Sequence, residues 1–111
     1  MEYKYSQKMA IVRLLLDIIN IDEKIDERET LYFEKVKKEL GLSPEDQFKV
    51  KDFSTLQSLS ILKGMSAEQK EYYATMMENM IIADEVIEPS ERFAYEDICK
   101  FCDIPIKELS L

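Results

Sequence analysis

The chain has 111 residues, with 23 acidic side chains against 15 basic ones, and it contains no His and no Trp. That length suits a single unit with a buried core, and 46% hydrophobic beside 34% charged residues is a globular balance and not a disordered one. The missing His excludes Ser-His and Cys-His catalysis and most zinc sites, while the net charge of −8 disfavours nucleic acid and anionic lipid and favours cations or basic proteins.

Two Gly and three Pro punctuate the whole chain, which points to helices with short connections. Met9, Val12, Leu16 and Ile19, widened by Leu15 and Ile18, form a helical stripe that starts near Tyr3 to Gln7 and ends near Asn20. A second helix carries Leu31, Tyr32, Phe33, Val36 and Leu40 and stops at Gly41, which accepts a left-handed cap. Ser43-Pro44 opens a third. Ser54 caps a short one through Leu56, Leu59 and Ile61 that ends before Gly64. Ser66 and Gln69 make a capping box for a long helix with Tyr72, Tyr73, Met76, Met77, Met80 and Ile81. The helix after Pro89 carries Phe93, Tyr95, Ile98, Phe101 and Cys102, and Pro105 opens a last turn or short helix. The expected fold is all-α, a compact bundle of six to seven helices with no strand.

Arg13 and Asp17 interrupt the apolar run from Ala10 to Ile19, so it does not read as a signal peptide. No stretch reaches the roughly 18–20 apolar residues of a membrane span. Cys99 and Cys102 are too few for a disulfide framework, so the expected compartment is the reducing cytoplasm.

An internal repeat is the most informative feature. A shift of 62 residues lays residues 19–29 over 81–91 without a gap. Ile19/Ile81, Asp22/Asp84, Glu23/Glu85, Ile25/Ile87 and Glu29/Glu91 are identical, and Asp26/Glu88 keep an acid. Phe33/Tyr95, Val36/Ile98, Lys38/Lys100 and Leu42/Ile104 continue in kind. Each copy reads as helix, acidic turn, helix, so two hairpins (about 9–43 and 71–105) with a middle segment (44–65) bury each other's apolar faces in one domain.

The repeated pattern, from Ile21-Asp22-Glu23 to Glu29 and from Ala83-Asp84-Glu85 to Glu91, resembles the tellurite-resistance TerB family. That family carries an apolar helix ending in Ala-Asp-Gly, an aliphatic residue in the turn, and a Glu in the next helix. Lys38-Glu39-Leu40-Gly41-Leu42-Ser43 also looks like the family's helix end. The resemblance implies an all-helical fold, a role around metal stress and cation binding by the acidic turns, and no known reaction. Glu23 and Glu85 stand where the family usually has Gly, and a Glu in the left-handed conformation open to Gly is strained.

The two turns carry seven of the eight net negative charges: residues 22–29 hold five acids against Lys24 and Arg28, and residues 84–91 hold four acids and no base. Such oxygen-rich clusters suit a hard divalent cation, calcium or magnesium, with Asp22, Asp26 and Glu29 in one copy and Asp84, Glu88 and Glu91 in the other. The same acids also fit helix capping, since Asp26-x-x-Glu29 is a capping pattern and Pro89 suits a first helical position. An EF-hand is excluded, because its loop would place Lys24 or Val86 at the third ligand and Phe33 or Tyr95 at the twelfth. Cys99-Lys100-Phe101-Cys102 has no preceding strand and no further zinc ligands, so it reads as one buried and one partly exposed thiol. Met76, Met77 and Met80 read as core. Leu56-Gln57-Ser58-Leu59 lacks the Asp that precedes the prosthetic-group Ser of acyl carrier proteins. The expected function is a non-enzymatic binding module with divalent cations at the turns. The alternative is a metal-free acidic scaffold for an unknown protein partner, without nucleic acid and without membrane insertion.

Overall fold

The computed structural model describes residues 2–21, 26–83 and 85–110. Among them the chain forms six α-helices and no strand: α1 (Tyr5–Ile19), α2 (Glu27–Glu39), α3 (Pro44–Lys49), α4 (Thr55–Lys63), α5 (Ala67–Ile81) and α6 (Pro89–Cys102), with a 3-10 turn at Val50–Asp52. The all-α bundle is the one the apolar spacing predicts. Three of its helices start by one local device. The hydroxyls of Ser43, Ser54 and Ser66 accept the amide N–H three residues on, from Asp46 (3.2 Å), Gln57 (3.0 Å) and Gln69 (3.1 Å).

The 62-residue shift carries both ends of α1 onto both ends of α5, and the start of α2 onto the start of α6. At the entry to α1 and to α5 a Gln side chain turns back on the chain, Gln7 Oε1 accepting from Lys4 N–H (2.8 Å) and Gln69 Oε1 from Ser66 N–H (3.0 Å). The second helix of each hairpin closes with a left-handed residue, Gly41 (φ 72°) in one and Asp103 (φ 60°) in the other. The next amide then reaches back over the helix end, Leu42 to the Lys37 carbonyl (3.1 Å) and Ile104 to the Cys99 carbonyl (2.8 Å). Packing is reciprocal as well: α2 lies against α5, and α6 against α1.

The middle segment breaks this symmetry. α4 crosses α1 and also meets α6, so α1 is covered on nearly every side. Met9, Ala10, Ile11, Val12, Leu14, Leu15, Ile18 and Ile19 are all buried. The counterparts of Met9 and Ala10 on α5 are Glu71 and Tyr72, and both face solvent. A polar clamp fixes α4 to α1. Arg13 pairs with Asp17 (3.1 Å) and donates to the Phe53 carbonyl (2.9 Å), and Asp17 accepts the Thr55 hydroxyl (2.7 Å).

Two expectations need correction. Residues 104–110 form no helix after Pro105. The Lys107 amide donates to the Tyr95 hydroxyl (3.1 Å), which holds the segment extended along α6. Leu31, Leu56, Tyr72 and Phe93 lie on apolar stripes yet are exposed, because no further layer among the described residues covers the outer sides of α2, α4, α5 and α6.

The space beside Gly41 is open, so only its backbone demands Gly. Gly41→Ala is expected to lower stability by about 1 kcal/mol, and Asp103→Gly to raise it by up to about that amount, because each moves the residue's left-handed preference in the opposite sense. Urea unfolding of the two variants checks this, and equal midpoints would contradict it.

Candidate functional site

Each hairpin enters its second helix on an acid. Asp26 is the N-cap of α2, and its Oδ1 accepts the amides of Arg28 (2.8 Å) and Glu29 (3.3 Å). Glu88 holds the same place before α6 with extended backbone and Pro89 behind it, but its carboxylate makes no capping bond. Its side chain is one methylene longer than the Asp that suits this position.

The acids at the third position of these helices go inward. Glu29 is 2% exposed and Glu91 is 1% exposed. The sequence signal for this is their register. Glu29, Phe33, Val36 and Leu40 recur at steps of four, three and four, as do Glu91, Tyr95, Ile98 and Cys102, and all eight are buried. Counting charge by turn hides that register. Of the predicted ligands, Asp26 and Glu29 are brought together at one helix start, Glu88 stands at the other turn, Glu91 sits in the core below it, and Asp22 and Asp84 lie outside the described residues. Among the described residues no three acidic or thiol side chains converge so as to hold a metal ion.

The second turn contains a strained backbone. Glu85 adopts φ 64° with its side chain exposed, and its amide donates to the Ile82 carbonyl (3.0 Å). This is the position where the TerB-like pattern carries Gly. Its counterpart Glu23 lies outside the described residues.

The thiols differ from expectation in exposure: Cys99 and Cys102 are both fully buried. α6 packs against α4 and α1 as well as α5, so positions three apart on it both face protein. Burial pushes both thiols up to about 11, far from the thiolate form that redox chemistry needs. Met76, Met77 and Met80 are core.

Two buried polar devices carry no clear sequence signal. Lys37 is 7% exposed, pairs with Glu34 (2.8 Å), donates to Gln47 Oε1 (2.9 Å) and lies over the Phe33 ring. Tyr95, the counterpart of Phe33, donates to Glu78 Oε2 (2.8 Å), and Glu78 is the counterpart of Leu16. Two apolar positions of the first hairpin are thus a hydrogen-bonded pair in the second. Clefts open on the second hairpin, two of them beside the segment that follows α6. One, of about 290 Å³, is bounded by Ala67, Lys70, Ala74, Ile104 and Pro105. The other, of about 430 Å³, is bounded by Ile87, Pro89, Arg92, Phe93, Glu96 and Leu109. Neither is lined by Glu88 or Glu91.

Fold and site together define an acidic, two-hairpin helical domain. No protein-family model matches the chain, and no curated protein matches it. Among solved structures, a protein of unknown function from Porphyromonas gingivalis W83 shares the fold, with a TM-score of 0.79 over 98% of this chain and 91% of that one at 18% identity.

Three outcomes follow from this geometry. Asp26→Ala should cost about 1 kcal/mol and Glu88→Ala little, while Glu85→Gly should stabilise by up to about 1 kcal/mol. Thermal unfolding of the three variants checks the order. Iodoacetamide should leave Cys99 and Cys102 unlabelled at neutral pH until denaturant is added, as mass spectrometry would show. The thiols' contribution to stability is fully present below their ordinary value of 9.0 and is lost as pH rises through about 11. A Cys99→Ala, Cys102→Ala variant should therefore lose less stability than the parent across that window.

Proposed function

We propose that this chain is a non-enzymatic protein-interaction module, akin to TerB-like domains, whose repeated acids serve folding first and give the exterior its charge second. One observation carries this reading: Asp26 is engaged by two backbone amides, while Glu29 and Glu91 are buried in register with the core. Four of the six predicted ligands lie among the described residues, and three of these four cap a helix or are buried. The remaining exterior is acidic and suits recruitment of a basic partner by long-range attraction.

A second reading, a divalent cation (calcium or magnesium) at the turns in a metal-stress setting, is favoured by Glu88. Its carboxylate stands at the turn without a capping bond, beside a strained Glu85.

Chelator-treated protein tested with calcium, magnesium, manganese and zinc separates the two. The interaction module should melt at one temperature throughout. A cation at a hundred times its Kd would add about 2.7 kcal/mol, a shift on the order of 10 °C for a chain of this size. Such a shift, selective for one ion and lost in Asp26→Asn with Glu88→Gln, would replace the first reading with the second.

A further inference from the structure

The two hairpins differ most informatively on their outer faces. Leu31 on α2 and Phe93 on α6 occupy equivalent positions and are equally exposed, at 64% and 65%. Their helical neighbours are not equivalent. One turn to either side of Leu31 stand Glu27, Arg28, Glu34 and Lys35, a balanced set. Around Phe93 the same positions hold Pro89, Ser90, Glu96 and Asp97, which adds two negative charges and no positive one. Arg92, beside Phe93, lies 3.7 Å from Glu96, so that pair is matched and Asp97 is the acid left over. Glu85 and Glu88 add acids at the open end.

Phe93 also has apolar company. With Ile87, Pro89 and Leu109, and beside the paired Arg92 and Glu96, it lines the cleft of about 430 Å³ between the first half of α6 and the segment that returns along it. Val86, beside Ile87 in the chain, is 52% exposed. A single exposed apolar side chain is ordinary, whereas a cleft with contiguous apolar residues and an excess of one charge in the flanking chain is the pattern of a binding surface. The returning segment is held there by the bond from Lys107 N–H to the Tyr95 hydroxyl, so the cleft is formed before any partner arrives.

We propose that this cleft on α6 docks a partner peptide that presents an apolar side chain flanked by lysine or arginine. The apolar anchor sits among Ile87, Pro89, Phe93 and Leu109, and the flanking cations meet Glu85, Glu88, Glu96 and Asp97. Charge complementarity selects this occupant. A second copy of this acidic chain would bring like charge to the rim, and an anionic lipid surface would be repelled by it. The proposal rests on the interaction-module reading and gives it a surface and a partner chemistry.

The probe is a short labelled peptide with two leucines flanked by lysine and arginine. Its controls replace the cations with glutamate or the leucines with serine. Fluorescence anisotropy should show saturable binding of the parent peptide alone, weakening as salt rises from low to physiological. Amide shifts in the protein should cluster at Val86, Ile87, Phe93 and Leu109. Phe93→Ser, and separately Glu96→Gln with Asp97→Asn, should each weaken binding by about tenfold or more. Leu31→Ser, the equivalent change on α2, should leave it unaltered. No binding, shifts that map to Phe48 and Leu56 on the middle segment, or an equal loss in Leu31→Ser would overturn the docking site. A basic protein partner held with unchanged affinity by the Phe93→Ser protein would also overturn it while leaving the interaction-module reading intact. A selective cation shift in melting temperature would remove that reading separately.

Discussion

Enclosure of α1 is the constraint on which the rest of the structure depends. Eight of its fifteen residues are buried, and they cover most of the circumference of the helix, leaving Arg13 and Asp17 on the remaining stripe. A helix apolar over most of its surface needs partners on most sides. One hairpin partner, α2, covers only part of it, and α6 of the second hairpin covers another part. The remaining face requires α4, which is why the chain carries a middle segment between its two repeats. The Arg13–Asp17 clamp fixes where α4 begins by holding the Phe53 carbonyl and the Thr55 hydroxyl at its N-terminal end. A charged pair inside an apolar stripe therefore sets the register of the segment that closes the core.

That division of labour frees the second hairpin. α5 occupies the position in its hairpin that α1 occupies in the first, but no middle segment crosses it. Glu71 and Tyr72 replace Met9 and Ala10 and stay in solvent. Inside the hairpin, Glu78 and Tyr95 stand where the first copy has Leu16 and Phe33. A hydrogen bond to a charged group fills that space, and the same phenol then anchors the returning chain through the Lys107 amide. Two copies of one plan have become a core hairpin and a peripheral one.

Helix boundaries were legible in the sequence because they depend on local chemistry. Ser43-Pro44, Ser66 with Gln69, and Gly41 each announce themselves within a few residues, and the structure places caps on all of them. The repeat was legible because it spans both turns. Exposure was not. Leu31 and Val36 belong to the same apolar spacing, and only the absence of an outer layer decides that Val36 is buried and Leu31 is not. The site was legible as composition and obscure as geometry. Five acids near one turn look alike when counted, yet Asp26 caps a helix while Glu29, three residues later, points into the core. The step pattern from Glu29 through Phe33, Val36 and Leu40 contains that distinction. The Lys37 and Tyr95 devices depend on contacts across helices and leave no comparable trace.

The repeated Glu at the third helical position gains meaning from this geometry. A buried carboxylate is costly unless its surroundings favour it, and a helix N-terminus supplies a favourable field through its unpaired amides and dipole. Placing the acid in the first turn, on the inward side, puts it where that field is strongest and where the incoming turn must pass. The same constraint repeats in the second hairpin, although Asp26 has become Glu88 and the capping bond is gone. The inward acid is thus the feature the two hairpins share most closely, and the outward charge is where they diverge: balanced around Leu31, and in acidic excess around Phe93, where Arg92 matches only Glu96. Folding accounts for the first. It gives no reason for the second, since exposed charges contribute little to stability. An asymmetry that folding does not require, set beside a cleft with apolar walls, is what the proposed peptide-docking surface rests on.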